Sequence, residues 1–211
     1  MRVSFSLWIS LLTACVVISL TPGAGAINTM SNSLASGWRR SLWGIIGQQL
    51  ALIIHIVIVA AGVGVFVARS PAVFAAIRYA GAAYLVYLGV RMICARPRAA
   101  DPSEPVSVVP RITNRAMLVR GFWVNLLNPK AIVFFLAFIP QFVRIDAPQL
   151  PQYMLIAGTV MAVDIVVMWL FFAAAARPFG RFAATARGQR VLNTVFGALF
   201  VGVAGLLVFI H

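Results

Sequence analysis

The sequence has 211 residues, of which 62% are hydrophobic and 10% are charged, and its net charge is +13. Its apolar runs repeatedly exceed the roughly 18 residues that mark a bilayer-spanning helix, which excludes an ordinary soluble domain. The alternation of apolar and polar residues that a closed barrel needs is absent, so helices are the remaining way to satisfy the backbone in lipid. The sequence therefore predicts an all-α membrane protein.

Six spans are predicted in chain order, at 5–34, 42–67, 71–91, 113–143, 153–176 and 190–210. The first is broken at Pro22 and the fourth at Pro129. No room remains for a soluble domain, so residues 1–211 form a single transmembrane domain. A polar linker at 95–112, with four prolines, separates half one (1–94) from half two (113–211). Three spans per half is an odd number, which predicts two inverted three-helix repeats, each with a broken first helix.

The arginines are distributed unevenly between the two sides of the predicted membrane. Twelve follow spans one, three and five: Arg39, Arg40, Arg91, Arg96, Arg98, Arg111, Arg115, Arg120, Arg177, Arg181, Arg187 and Arg190. Four lie on the other side: Arg2, Arg69, Arg144 and, slightly inside span three, Arg78. The positive-inside rule then predicts that both termini lie outside. The segment 24-AGA-26 imitates a signal-peptide cleavage site, but cleavage there would leave five spans with the termini on opposite sides, so we expect the first span to be retained. Anionic lipid headgroups, and no nucleic acid, are the expected partners of these arginines.

The two breaks predict a binding site. Pro22 lies in 21-TPG-23 and Pro129 in 125-NLLNPK-130. Each proline removes a backbone donor, which frees a carbonyl one turn earlier and lets a new half-helix begin with unpaired amides. Matched broken helices point to a transporter's binding site, although kinks healed by neighbouring helices are the alternative. The predicted substrate-binding residues are Pro22, Gly23, Gly25, Asn28, Asn125, Asn128, Pro129 and Lys130.

Two ionisable side chains are predicted near mid-membrane, His55 and Asp164. A central aspartate costs about 2.5–3.5 kcal/mol to insert, so it needs a partner and is functional by default. Histidine titrates near physiological pH and a desolvated carboxylate takes up a proton more readily, so together they suggest proton coupling. Asp164 is the preferred carrier, with His55 in a supporting or substrate-contact role and Gln48 on the same polar face as His55. The alternatives are an imidazole bonded to a helix carbonyl and a structural aspartate.

Lys130 follows the second break directly. If the break is deep, its ammonium needs a partner, either Asp164 or the carboxylate of a substrate. If the break is near the cytoplasmic surface, Lys130 extends to the headgroups. The glycines of spans three and six favour internal helix packing, with a homodimer as the alternative.

Several segments resemble the LysE/RhtB family of bacterial amino-acid exporters: 21-TPGAGAINT-29, 79-YAGAAYLVYLG-89 and 124-VNLLNPKAIVFFLAFIPQF-142. The stretches 25-GAINTM-30, 55-HIV-57 and 163-VDIVVM-168 are most similar to its homoserine/homoserine lactone efflux branch. The resemblance implies a six-helix exporter of the bacterial inner membrane, driven by proton antiport. Its expected substrates are homoserine, its lactone and small amino acids such as threonine.

Other classes of function fit the residues less well. A metal-ion (cadmium-type) exporter on a related scaffold is the main alternative, but only His55 and Asp164 are available as ligands at mid-membrane. Cys15 and Cys94 lie on different spans and suggest neither a disulfide nor a metal site. No catalytic cluster with general-base spacing is present, so we expect neither an enzyme nor a cofactor.

Overall fold

The computed structural model describes residues 5–66, 71–96, 112–144, 146–183 and 185–209. Most of the predicted linker at 95–112 lies outside these residues, as do Arg2, Arg69, Arg98 and Arg111.

Helices form almost all of the described chain, and no strand occurs in it. The helices are α1 (Phe5–Leu20), α2 (Ala24–Ser36), α3 (Leu42–Phe66), α4 (Pro71–Ile93), α5 (Asn114–Leu126), α6 (Pro129–Ala137), α7 (Gln149–Val166), α8 (Ala176–Ala183) and α9 (Ala186–Phe209). A 3-10 turn at Ile139–Phe142 follows α6, and a π-helical segment at Val167–Ala173 continues α7. The predicted all-α class is therefore confirmed.

Three helical segments are long and apolar enough to cross a membrane, namely Leu42–Gly62, Gln149–Ala173 and Ala186–Phe209. Two bent pairs bring the number to five if each pair is one span: α1 with α2, bent by 56°, and α5 with α6, bent by 55°. Helix α4 has 23 residues but is not among these segments. The described chain thus supports three to five spans, and six spans in two inverted repeats remain a prediction.

Both predicted breaks occur at their prolines. Helix α1 ends at Leu20 and α2 begins at Ala24, on either side of Pro22. Pro129 is the first residue of α6, where a backbone N–H is not needed. The Asn128 side chain accepts a hydrogen bond from the backbone N–H of Lys130 at 3.1 Å and so caps this new helix.

Two close helix pairs organise the bundle: α3 packs along α5, and α4 packs along α9. Gly121 permits the close approach of the first pair, because a Cβ atom on it would overlap the carbonyl oxygen of Gly44. Gly89 and Gly197 do the same for the second pair, since a Cβ on either would lie 2.6 Å from the other's carbonyl oxygen. Small residues permit this approach in the absence of a hydrophobic driving force between helices in lipid.

Helix α6 carries the aromatic centre of the bundle. Phe134, Phe135 and Phe138 are almost fully buried, and the rings of Phe134 and Phe138 stack with centroids 5.0 Å apart. The outer surface also carries large apolar side chains, as expected where helices face lipid, including Val57, Ile58, Met154 and Leu170. The second broken helix is thereby held at the centre, next to the first.

Candidate functional site

The two breaks meet at a small cavity of about 50 Å³. Six of the predicted site residues line it: Gly25, Gln48, Asn125, Asn128, Lys130 and Asp164. This volume accommodates only a few water molecules, whereas ligand pockets measure about 300–1,000 Å³. A small amino acid could therefore enter only if the surrounding helices move apart.

Lys130 joins the two breaks. Its ammonium donates hydrogen bonds to the carbonyl oxygens of Ile18, at 2.9 Å, and Thr21, at 2.7 Å. In an unbroken helix the carbonyl of Ile18 would accept from the N–H of residue 22, but Pro22 has none. The ammonium also lies at the C-terminal end of α1, where the helix dipole favours a positive charge.

The carbonyl oxygens that bind Lys130 are partners that the sequence analysis did not predict. Lys130 forms no ion pair with Asp164, although the two residues line the same cavity, and binding to the carboxylate of a substrate remains a prediction. The ion pair that the described residues do contain joins Arg144 to Asp146 on an exposed loop. A cation and an acid thus share the cavity without neutralising each other through direct contact.

Asp164 connects three helices through its carboxylate. Oδ2 accepts a hydrogen bond from Nε2 of Gln49 on α3 at 2.7 Å, and Oδ1 accepts one from the hydroxyl of Ser19 on α1 at 3.3 Å. The Oε1 atom of Gln49 is buried and has no hydrogen-bond partner in the described chain. This amide can therefore offer either a donor or an acceptor to the carboxyl group.

Ser19 and Gln49 were not predicted from the sequence. Ser19 lies within one turn of Pro22, and Gln49 is the direct neighbour of Gln48 in an otherwise apolar span. The sequence could have indicated them in two ways: Ser19 is a polar residue close to a helix break, and Gln49 is a polar residue next to another one in the middle of a span.

Gln48 connects α3 to α2 through side-chain hydrogen bonds. Its Nε2 donates to the carbonyl oxygen of Gly25 at 3.1 Å and to the hydroxyl of Thr29 at 3.0 Å. Asn125 in turn donates from Nδ2 to the backbone carbonyl of Gln48 at 3.1 Å. The start of α2 and the end of α5 are thus both attached to one short part of α3.

His55 lies apart from Asp164. Its ring stacks on Phe135, with centroids 5.4 Å apart, and lines a separate cavity of about 400 Å³ whose other lining residues are apolar. Leu126, the last residue of α5, also lines this cavity, and the buried Nδ1 atom of His55 has no hydrogen-bond partner among the described residues. The ring therefore packs beside the end of a broken helix and does not reach the acid.

Asn28 is buried but does not line the cavity at Asp164. Both polar atoms of its amide lack a hydrogen-bond partner among the described residues, and the same holds for Asn32 one turn later. Buried polar groups without partners are rare and costly, so these two amides require an explanation.

The remaining predicted site residues line a second, larger cavity. Pro22, Gly23 and Pro129 lie there together with Asn128 and Lys130, and the volume is about 390 Å³. Asn128 and Lys130 also line the first cavity, so the two cavities adjoin at the second break.

No cluster of three or more histidine, cysteine, aspartate or glutamate side chains occurs in the part of the chain that the structure describes. No set of metal ligands can therefore be assigned there.

Comparison with known proteins agrees with this architecture. A family model for LysE type translocators matches residues 16–210. A homoserine/homoserine lactone efflux protein of Salmonella typhimurium is 38% identical over 204 residues, which cover 97% of each chain. An uncharacterized membrane protein of Vibrio cholerae is 38% identical over 95% of each chain. A leucine efflux protein of Salmonella typhimurium is 28% identical over 93% of this chain and 92% of its own.

No solved structure matches the chain. The family match covers both breaks, the lysine and the aspartate of the cavity. This membrane protein belongs to the LysE type translocator family.

Proposed function

We propose that the protein exports homoserine, its lactone or a similar small amino acid across the bacterial inner membrane, in exchange for a proton. The relatives named for homoserine efflux, at 38% identity over nearly the whole chain, support this substrate class. One observation of the site carries the proposal: Lys130 and Asp164 line the same cavity without pairing to each other. Homoserine, a zwitterion, fits this arrangement, with a cation for its carboxylate and an acid for its ammonium, whereas its lactone offers the ammonium to Asp164 and an ester carbonyl to Lys130.

The carboxylate of the substrate binds at Lys130 and at the first amides of α2. Gly25 and Ala26 line the cavity at the start of that helix, where backbone N–H groups have no intrahelical partner and no side chain caps them. Asp164 receives the ammonium, and Asn125 or Asn128 binds the hydroxyl group.

Binding opens the site through Lys130. A carboxylate is a stronger acceptor for an ammonium than a neutral carbonyl is, because charge-assisted hydrogen bonds are shorter and stronger. A substrate with a free carboxylate, such as homoserine, therefore draws Lys130 away from Ile18 and Thr21 and frees the end of α1. The broken helices of the two inverted halves then move relative to each other, which is alternating access around a fixed site.

The unpaired amides of Asn28 and Asn32 support a second conformation. Each would cost free energy if it remained unpaired throughout the cycle. Movement of α2 away from α3 gives both amides access to water on the cytoplasmic side.

Asp164 carries the proton, which it takes up from outside after the substrate leaves. His55 has the supporting role, because its ring stacks on Phe135 and lines a cavity with Leu126 at the end of α5. Both termini lie outside, and the arginine-rich loops lie in the cytoplasm beside anionic lipid. At 100 mV one charge crossing the membrane provides about 2.3 kcal/mol, enough for a gradient of roughly fiftyfold.

Uptake into inverted membrane vesicles tests the proposal. With an acidic lumen, wild-type protein should concentrate labelled homoserine inside, and Asp164→Asn should abolish this accumulation. Asp146→Asn is the matched control, because it removes a carboxylate from an exposed loop. Accumulation by Asp164→Asn at the wild-type level would contradict proton coupling through Asp164. A wild-type protein that moves no amino acid under any gradient would contradict export itself.

A further inference from the structure

We infer that the larger cavity is the cytoplasmic vestibule of this carrier, and that Arg91 binds the carboxylate of the substrate there before Lys130 does. The inference rests on the proposed export function and adds a second binding step to it. The vestibule is defined by its lining residues: Pro22, Gly23, Ala24, Leu88, Arg91, Met92, Ala95, Asn128, Pro129, Lys130, Asn193 and Phe200.

Size separates the two cavities. The vestibule measures about 390 Å³, within the range of ligand pockets, whereas the cavity at Asp164 measures about 50 Å³. An amino acid can therefore occupy the vestibule without movement of the surrounding helices. Arg91 belongs to the last turn of α4, which leads into the arginine-rich predicted cytoplasmic linker.

The charge of the vestibule favours an anionic group. Arg91 is exposed and has no hydrogen bond or ion pair to any other residue that the structure describes. Lys130 is a second cation of the lining, and none of the described residues that line the vestibule is acidic. A guanidinium binds a carboxylate through two parallel hydrogen bonds, which makes arginine the favoured residue for this group.

Lys130 stands between the vestibule and the cavity at Asp164, since it lines both. Its ammonium is held by the carbonyls of Ile18 and Thr21 until a better acceptor arrives. A carboxylate bound first at Arg91 can be transferred to Lys130, and this transfer releases those two carbonyls. Arg91 thus selects the substrate. Lys130 then links the passage of the substrate to the release of the carbonyls at the first break.

The chemistry of the substrate provides a sharp distinction. Homoserine has a free carboxylate, whereas its lactone has this group closed into a neutral ester. Only homoserine can form the charged, two-bond contact with Arg91, so the loss of Arg91 should weaken homoserine transport selectively. An arginine that only contacts phosphate headgroups would not distinguish the two compounds.

The test measures half-saturating concentrations of homoserine and its lactone for uptake into inverted vesicles, at equal amounts of membrane-inserted protein. Arg91→Gln should raise the value for homoserine about tenfold and leave the value for the lactone within about twofold. Arg91→Lys should recover part of the loss. Arg115→Gln is the matched control, because it removes an equal charge from an exposed position on α5 outside the vestibule.

Several results would overturn the inference: unchanged homoserine values in Arg91→Gln, equal changes for the two compounds, or the same change in Arg115→Gln. If the wild type transports homoserine but not the lactone, the inference is tested on homoserine alone. In that case the half-saturating concentration must rise in Arg91→Gln and stay unchanged in Arg115→Gln. A wild-type protein that transports neither compound would contradict the proposed function. A wild-type protein that exports homoserine without any dependence on Arg91 would contradict only this inference.

Discussion

The ammonium of Lys130 lies 2.7 Å from the carbonyl oxygen of Thr21, so the first turn of α6 closes the end of α1. Its second bond, to Ile18, replaces the backbone donor that Pro22 lacks. The two breaks are therefore complementary parts of one structure: one supplies free carbonyls and the other supplies the cation that binds them. A substrate that competes for Lys130 acts on both halves of the chain at once.

Lys130→Met should destabilise the protein and abolish export. It leaves the carbonyls of Ile18 and Thr21 without their donor, at a cost of about 1–3 kcal/mol for each carbonyl that stays unpaired. Thermal unfolding in detergent and vesicle uptake would measure the two effects. Arg120→Gln, which removes a cation from an exposed position, should change neither.

A double-mutant cycle with Pro22→Ala sharpens this prediction. Alanine restores an N–H at residue 22, which can pair with the carbonyl of Ile18 as in a continuous helix. The loss of stability from Lys130→Met should therefore be smaller in the Pro22→Ala background than in the wild type. Simple additivity of the two changes would show that Lys130 does not compensate for the proline.

Gln49→Leu should impair uphill export more than Ser19→Ala does. The contact of Gln49 with Asp164 is 2.7 Å long, against 3.3 Å for Ser19, and short hydrogen bonds to a charged group are the stronger ones. We expect a loss of at least about tenfold for Gln49→Leu and about twofold for Ser19→Ala, measured as initial rates of accumulation in vesicles.

Gln141→Leu serves as the control for Gln49→Leu. Its side chain bonds the carbonyl of Ala137 near the end of α6, away from Asp164, so its accumulation rate should stay near that of the wild type. Equal losses in Gln49→Leu and Gln141→Leu would indicate a general effect of removing an amide. In that case Gln49 would not be a positioning residue for the carboxylate.

Gly121→Ala should destabilise the bundle, and Gly158→Ala should not. A Cβ on Gly121 would overlap the backbone of Gly44, and since backbone cannot rotate away, α3 and α5 must separate. Overpacking of this kind costs about 1–3 kcal/mol. A Cβ atom on Gly158 would have no neighbouring atom of the described chain within 4 Å. The midpoints of thermal unfolding in detergent compare the two, and an equal effect at both positions would contradict the close α3–α5 contact.

Much of the fold follows from rules that act within a few residues. The length of the apolar runs predicted helices, and the lack of an N–H in proline predicted the breaks at Pro22 and Pro129, which the structure confirms. The same rule predicted free carbonyls one turn before Pro22. Of the predicted site, Gly25, Gln48, Asn125, Asn128, Lys130 and Asp164 line one cavity.

The pairing of side chains required the tertiary structure. Lys130 and Thr21 are 109 residues apart, and Ser19 and Asp164 are 145 apart. No local pattern encodes such contacts. His55 shows the same limit: spacing predicted a depth and a face on α3 for it, yet the packing of Phe135 and the end of α5 put it in a different cavity from Asp164.

The sequence by itself determined that this chain is a helical membrane protein with two spans broken at proline, because apolar length and a missing N–H act on the residues that carry them. Only the packing of α1, α3, α6 and α7 decided that the free carbonyls of one break receive the lysine of the other, since that contact depends on how distant helices approach.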